Sequence, residues 1–196
     1  MRRYALPFLF FLLAACGSKQ DNPATVKPEN TDYLISLDGI GPVKTEMTLA
    51  ELETVLKQKV PLTNPKDTSS GSWMDSAFIK IKEADLLLSF VRTYAYKNPD
   101  SFHMRVSDMK TSNPLFKTIN GIGVGSSRLE VCNAFDNYRI YMGPETVMIN
   151  DSTWVQSKDL YQVRVREHRE GPQIVFYVKD NKVYQVEVGS YYDDQE

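Results

Sequence analysis

The feature that most constrains the fold is a short motif that occurs twice, each time ahead of a helix start. Residues 37–41 read LDGIG and residues 119–123 read INGIG. Each copy leads to a Ser or Thr that is followed three residues later by Glu, at Thr48 and at Ser127. This spacing is typical of a helix capping box. Repetition of the same motifs in the same order indicates a duplicated structural unit.

Segments rich in β-branched and aromatic residues follow each predicted helix, as expected of strands. They cover residues 77–82, 86–96 and 102–106 in the first half, and 139–142, 147–155, 161–166, 173–179 and 182–188 in the second. The expected fold class is α+β. It comprises two tandem repeats, 33–111 and 112–190, each a capped helix packed on one face of an antiparallel sheet, with an acidic tail at 191–196.

Alternation indicates how two of these strands face the core. In 161–166, apolar Tyr161, Val163 and Val165 alternate with polar residues, so this strand is predicted to have one face in water. The last two strands are predicted to form a hairpin with a three-residue loop, 179–181. That loop places Ile174, Phe176, Val178, Tyr184, Val186 and Val188 on the core side and turns Tyr177 outward.

The N-terminus has the pattern of an export signal. Arg2 and Arg3 precede an apolar run, 5–15, that is too short to span a bilayer as a helix. The run ends in LAAC, which resembles the lipobox of bacterial lipoproteins. The resemblance implies that residues 1–15 are removed as a signal peptide and that Cys16 receives the lipid. Residues 16–32 are then a flexible tether, and the expected location is the outer membrane, on either face.

The lipobox, the two GIG motifs and the two capping boxes together resemble a group of small bacterial lipoproteins. These are related to the outer-membrane assembly lipoprotein family and to β-lactamase inhibitor proteins. The resemblance covers residues 34–190 and implies helices on one face of an antiparallel sheet in each module. It favours a module that binds another envelope protein, as an assembly subunit or as an inhibitor.

Charge and cysteine content limit the remaining partners. Lys and Arg total 23 against 25 Asp and Glu, so no cationic field for a nucleic acid is expected. Cys132 is the only cysteine besides Cys16, so a lipidated Cys16 leaves no disulfide within the chain. The helical phase of Cys132, beside Val131 and Phe135, places it on the core face.

No motif predicts catalysis, a cofactor or a metal. Residues 121–125 read GIGVG, but Ser126 replaces the last glycine of a dinucleotide-binding loop, so we interpret the segment as a structural turn. His103 and His168 lack metal-site spacing, and the GxSxG elbow of hydrolases does not occur. The chain is expected not to be an enzyme, and the alternatives are a small-ligand sensor or carrier, or an envelope hydrolase.

Aromatic residues are the best candidates for a partner site. The chain has 11 Tyr and 2 Trp, and amphipathic aromatic side chains often anchor protein interfaces. The candidates that are least easily explained as core residues are Tyr177, Trp73, Tyr191 and Tyr192.

The lipobox leads to a direct prediction for Cys16. Replacing Cys16→Ser should abolish incorporation of labelled palmitate and leave the uncleaved precursor, because the thiol is the group that accepts the lipid. Equal labelling of the wild type and the variant would show that Cys16 is not the anchor.

Overall fold

The structure, a computed structural model, describes residues 31–63, 74–95, 98–150 and 152–191. After a single 3-10 turn, Thr31–Tyr33, the chain forms two short helices, α1 (Leu49–Leu56) and α2 (Arg128–Ala134). The strands are β1 (Leu34–Ser36), β2 (Gly39–Ile40), β3 (Val43–Lys44), β4 (Met74–Ile81), β5 (Ala84–Ala95), β6 (Asn98–Thr111), β7 (Lys117–Thr118), β8 (Arg139–Asn150), β9 (Thr153–Arg166), β10 (Gly171–Lys179) and β11 (Lys182–Tyr191).

One seven-stranded antiparallel sheet dominates the fold, in the order β4-β5-β6-β11-β10-β9-β8. The prediction of two helix-on-sheet repeats is therefore wrong: the protein is mostly β, and its main sheet runs through both halves. The physical reason is that β6 and β11 pair with each other, from Thr111 opposite Val186 to Asp108 opposite Gly189. This pairing removes the open edge that each half would otherwise expose.

The first GIG motif contributes β2 to a second, four-stranded sheet, β3-β2-β1-β7, and the second motif follows β7, where Gly123 forms an isolated bridge with Lys117. There β1 pairs with β7 in parallel, so the two halves meet again. The glycines of the two copies have exchanged roles. In the first copy, a Cβ at Gly39 would lie 2.1 Å from the Val43 carbonyl oxygen, and Gly41 has φ +58°. In the second copy the order is reversed: Gly121 has φ +77°, and a Cβ at Gly123 would lie 2.4 Å from the Phe116 carbonyl oxygen. The GIGVG segment is thus a structural turn in this fold.

Both predicted capping boxes are confirmed. The Thr48 and Ser127 side chains accept hydrogen bonds from the backbone N–H of Glu51 and Glu130, whose carboxylates accept from the two cap N–H groups in return. These reciprocal bonds lower the pKa of both glutamates. Within the described residues, neither helix has the length and hydropathy needed to cross a bilayer.

The helices and the small sheet cover one face of the seven-stranded sheet, and a continuous core lies between them. Its fully buried members include Leu52 of α1, Val131 of α2 and Phe176 of β10. Phe135, which follows α2, packs on Phe176 with ring centroids 5.8 Å apart. Cys132 is half-buried and packs against this core, which confirms its predicted face.

The predicted three-residue loop of the last hairpin is wrong. Asp180 and Asn181 form a two-residue turn with φ of +50° and +61°, the backbone that favours the twist of paired strands. A bulge follows, since Tyr177 pairs with Gln185 while Val178 pairs with Val183. The bulge places Val183 in the core in place of Tyr184 and keeps Phe176 on the core side, as predicted.

The predicted strand 147–155 is in fact the end of a hairpin between β8 and β9. Its turn includes Asn150, whose side-chain oxygen accepts a hydrogen bond of 3.2 Å from the Ser152 N–H. The polar residues at this point are therefore a turn and not the interior of a strand. Pro144 also lies within β8, where the edge position tolerates its missing N–H.

Several predictions fall on residues that the structure does not describe. They are the signal peptide 1–15, lipidated Cys16, most of the tether 16–32, and the acidic tail after Tyr191. These stay predictions.

The core geometry predicts a large difference between two phenylalanines. Phe176→Ala should lower the free energy of unfolding by about 3–5 kcal/mol, because it leaves a cavity under α2. Phe78→Ala is the matched control: Phe78 is 69% exposed on edge strand β4, so its loss should cost under about 1 kcal/mol. Urea denaturation measures both, and equal losses would contradict this packing.

Candidate functional site

The second face of the seven-stranded sheet carries no helix in the described structure, and we call it the open face. One row of directly paired residues crosses this face from edge to edge: Phe78, Leu87, Lys110, Glu187, Val175, Arg164 and Tyr141. Apolar side chains dominate the β4 end of the row, and charged and aromatic side chains dominate the β8 end. The β8 end is therefore where polar recognition groups converge.

Tyr177 lies on the open face, as predicted, but it is half-buried and engaged within the chain. Its hydroxyl donates to Glu187 at 2.5 Å, and the Lys110 ammonium lies 3.0 Å from the same carboxylate oxygen. Burial, followed by the negative charge of Glu187, raises the pKa of Tyr177 above its ordinary value. Tyr177 thus belongs to a three-residue network that orders the middle of the open face.

Tyr184, the extra residue of the β11 bulge, stands beside this network. Its ring centroid is 6.2 Å from that of Tyr177, and its hydroxyl donates to Glu145 at 3.0 Å. Burial and the hydrogen bond to Glu145 raise the pKa of Tyr184 to about 12. The bond also ties β11 to β8, so it helps to fix the β8–β9 hairpin against the sheet.

A groove of about 410 Å³ lies next to these tyrosines, between the ends of β8 and β9. Gly143 and Pro144 leave room for it, and its polar lining comes from Tyr141, Thr146, Gln156, Gln162, Arg164 and Arg166. The predicted wet face of 161–166 is confirmed, because Val163 and Val165 are buried while the residues that alternate with them, 162, 164 and 166, line this groove. Among the described residues that line it, the charged groups are Arg164 and Arg166.

The β8–β9 hairpin extends beyond the end of β10, which pairs with β9 only from Leu160 onward. Among the described residues, 146–150 therefore pair only with 153–156, and we call 146–150 and 152–156 the distal ribbon. Met148 is directly opposite Trp154 there, and Trp154 is 63% exposed. Strand alternation puts this pair on the same side as Thr146 and Gln156. The apolar pair thus continues the groove outward.

Other apolar side chains of the hairpin are exposed too. Ile149, at the tip, is 61% exposed, and Val155 and Met142 are exposed on the opposite side of the hairpin from Met148 and Trp154. Large apolar groups that are clustered and exposed on a soluble domain mark surfaces used for binding. Met and Trp are also among the residues enriched in protein interfaces.

Only part of this surface was predicted from the sequence. Of the four aromatic candidates, Tyr177 lies near the groove; Trp73 and Tyr192 fall outside the described residues, as does the side chain of Tyr191. Trp154 and Met148 were missed because 147–155 was interpreted as one strand. The polar residues Asn150 and Ser152 indicate a turn, and a turn there would have placed Met148 opposite Trp154.

The histidine loop is a separate feature. His168 lines a groove of about 250 Å³ with Glu167, Glu170 and Asp38. Among the residues that the structure describes, no three His, Cys, Asp or Glu side chains are placed to hold a metal ion. The loop therefore supports no metal assignment.

Comparisons with protein families, with curated proteins and with solved structures found no significant similarity for this chain.

The network around Glu187 predicts a specific cost for Tyr177→Phe. The variant should lower the free energy of unfolding by about 1.5–3 kcal/mol, because a half-buried carboxylate loses a hydrogen-bond donor. The role of Tyr177 as a partner-binding residue stays a prediction.

The matched control is Tyr141→Phe. Tyr141 is exposed and its hydroxyl makes no hydrogen bond with the described residues, so the change should be close to zero. Chemical denaturation of the two variants side by side measures the difference. Equal stability of both would show that the Tyr177 hydroxyl contributes nothing.

Proposed function

We propose that this protein is a lipid-anchored envelope protein that binds another envelope protein through the distal ribbon. The observation that carries the proposal is the Met148–Trp154 pair, which is exposed on the same side of the hairpin as Thr146 and Gln156 of the groove. The lipid on Cys16 would hold the body at the membrane, and the ribbon would reach outward from the sheet.

Energetics support the ribbon as the contact region. A few large, well-packed side chains carry most of the binding energy at protein interfaces, and Trp is foremost among them. An exposed Trp opposite Met offers a broad apolar contact at little entropic cost, because both strands already hold their backbones in place.

The edge of the sheet argues for side-chain docking over strand addition. β8 is an edge strand, but Pro144 lacks an N–H and the pairing is irregular between Pro144 and Thr146. Proline and bulges of this kind protect an edge against pairing with another chain. The partner is therefore expected to contact the ribbon through side chains.

The ribbon predicts that Trp154→Ala weakens partner binding about 30-fold or more, with a change in unfolding free energy under about 1 kcal/mol. Phe78→Ala is the control, since it removes an equally exposed aromatic group from the opposite edge of the sheet. The measurement is cross-linking and co-purification from membranes of the native host, with the lipid anchor intact.

A protein recovered with the wild type and with Phe78→Ala, but lost with Trp154→Ala and Met148→Ala, would support the proposal. Recovery of the same protein with all four forms would show that the ribbon is not the interface. Recovery of none would contradict the binding function.

A further inference from the structure

The distal ribbon carries apolar pairs on both of its sides. The Met148–Trp154 pair lies on the groove side. The neighbouring pair, Val147 opposite Val155, lies on the other side, because side chains alternate along a strand. Val147 is half-buried and Val155 is exposed. A strand with one face in water normally places polar side chains on that face, so at these two pairs neither side of the ribbon is suited to open water.

The ribbon also has little charge and little support from the rest of the sheet. Residues 146–156 read TVMINDSTWVQ, in which Asp151 is the one charged residue. Among the described residues its two strands pair only with each other, and a two-stranded ribbon by itself is marginally stable in water. A partner that covered both sides would bury both apolar pairs and hold the ribbon in place.

The polar tip argues against a lipid bilayer as that partner. Asp151 and Ser152 separate the two strands in the sequence, and the Asn150 side-chain oxygen accepts hydrogen bonds from the N–H and the hydroxyl of Ser152. A ribbon that entered a bilayer tip first would carry these polar groups into the hydrocarbon ahead of the apolar pairs, and a carboxylate is strongly disfavoured there. A protein cleft can cover the two sides and leave the tip in water.

The base of the ribbon adds an ordered positive charge on the groove side. The Nε and Nη2 of Arg164 donate to the Gln162 side-chain oxygen at 3.0 and 2.8 Å, and the guanidinium lies over the Tyr141 ring, 5.8 Å from the centroid. Arg164 forms no ion pair with a described residue. Its neutral contacts fix the orientation of the guanidinium, so a carboxylate of a partner would meet a positioned donor there.

We propose that the partner of the distal ribbon is a protein with an apolar cleft that receives both sides of the ribbon and carries a carboxylate at its rim, opposite Arg164. This inference rests on the proposed function and specifies the surface of the partner. The Met148–Trp154 pair contacts one wall of the cleft and Val155 the other. Packed sheets lie about 10 Å apart, so two such walls are about 20 Å apart between their backbones.

Site-specific photo-cross-linking tests the two sides separately. p-Benzoylphenylalanine replaces Met148, Val155 or Phe78, one at a time, in the full chain expressed in the native host. Membranes are irradiated, and the adducts are identified by mass spectrometry. We expect one and the same protein to be cross-linked from positions 148 and 155, which lie on opposite sides of the ribbon. Position 78, at the opposite edge of the sheet, should not give this product.

Matched substitutions test the wall and the rim, with the cross-link yield from position 148 as the measurement. Val155→Thr keeps the shape of the side chain but places a hydroxyl against an apolar wall, so the yield should fall about threefold or more. Val55→Thr makes the same change at a similarly exposed valine of α1 and should leave the yield unchanged. Arg164→Gln should also lower the yield about threefold or more, whereas Lys80→Gln on β4 should not.

Circular dichroism verifies that each variant is folded. A protein cross-linked from position 148 but not from position 155 would overturn the cleft and leave the ribbon as a one-sided interface. Lipid, a second copy of this chain or a different protein at position 155 would also overturn it, as would equal yields for Val155→Thr and Val55→Thr. Equal yields for Arg164→Gln and Lys80→Gln would overturn the carboxylate at the rim. If no protein is cross-linked from either side, the proposed function itself fails, so the two failures are distinguished.

Discussion

The pairing of β6 with β11 is the interaction on which the rest of the structure depends. It spans four residue pairs, and the strands approach closely at Gly189, where a Cβ would lie 3.0 Å from that of Asp108. Beyond these four pairs, the edge of each strand bonds to the loop that leads into one of the helices. The loop before α1 exchanges two backbone hydrogen bonds with Val106 of β6, and the loop before α2 exchanges two with Val183 of β11. These bonds satisfy backbone groups of β6 and β11 beyond the paired region, and they hold the start of each helix against the sheet.

This arrangement leaves the open face for polar chemistry. All of the helical and small-sheet packing lies on the other side, so the open face is stabilised by side chains of its own strands. Val175 is buried there although no helix of the described residues covers it, and it lies in the row between Glu187 and Arg164. Long polar side chains that cover one another are held in defined positions, which is what a recognition surface requires. The groove and the ribbon both belong to this face.

The sequence predicted local features well and long-range pairing badly. Both capping boxes are set by residues three apart, so Thr48 and Ser127 were identified correctly. The repeat architecture was wrong because the partner of a strand is not encoded nearby: nothing local indicates that β1 pairs with β7, or β6 with β11. The two GIG motifs illustrate the limit. Their residues are alike, yet positive φ occurs at the second glycine of one copy and at the first glycine of the other.

The same contrast applies to the groove. Alternation along 161–166 indicates that Arg164 and Arg166 share the solvent face, because side chains on one strand alternate with a period of two. That strand alone gives two arginines at an ordinary spacing, with no reason to expect a site. The signal arises only when β8 pairs with β9, which brings Arg139 opposite Arg166 and adds Tyr141 beside Arg164. The bulge beside Pro144 then bends the ribbon so that Thr146 and Gln156 complete the lining. Which residues line this groove therefore depends on the pairing register of β8 with β9, and that register depends on how the whole sheet packs.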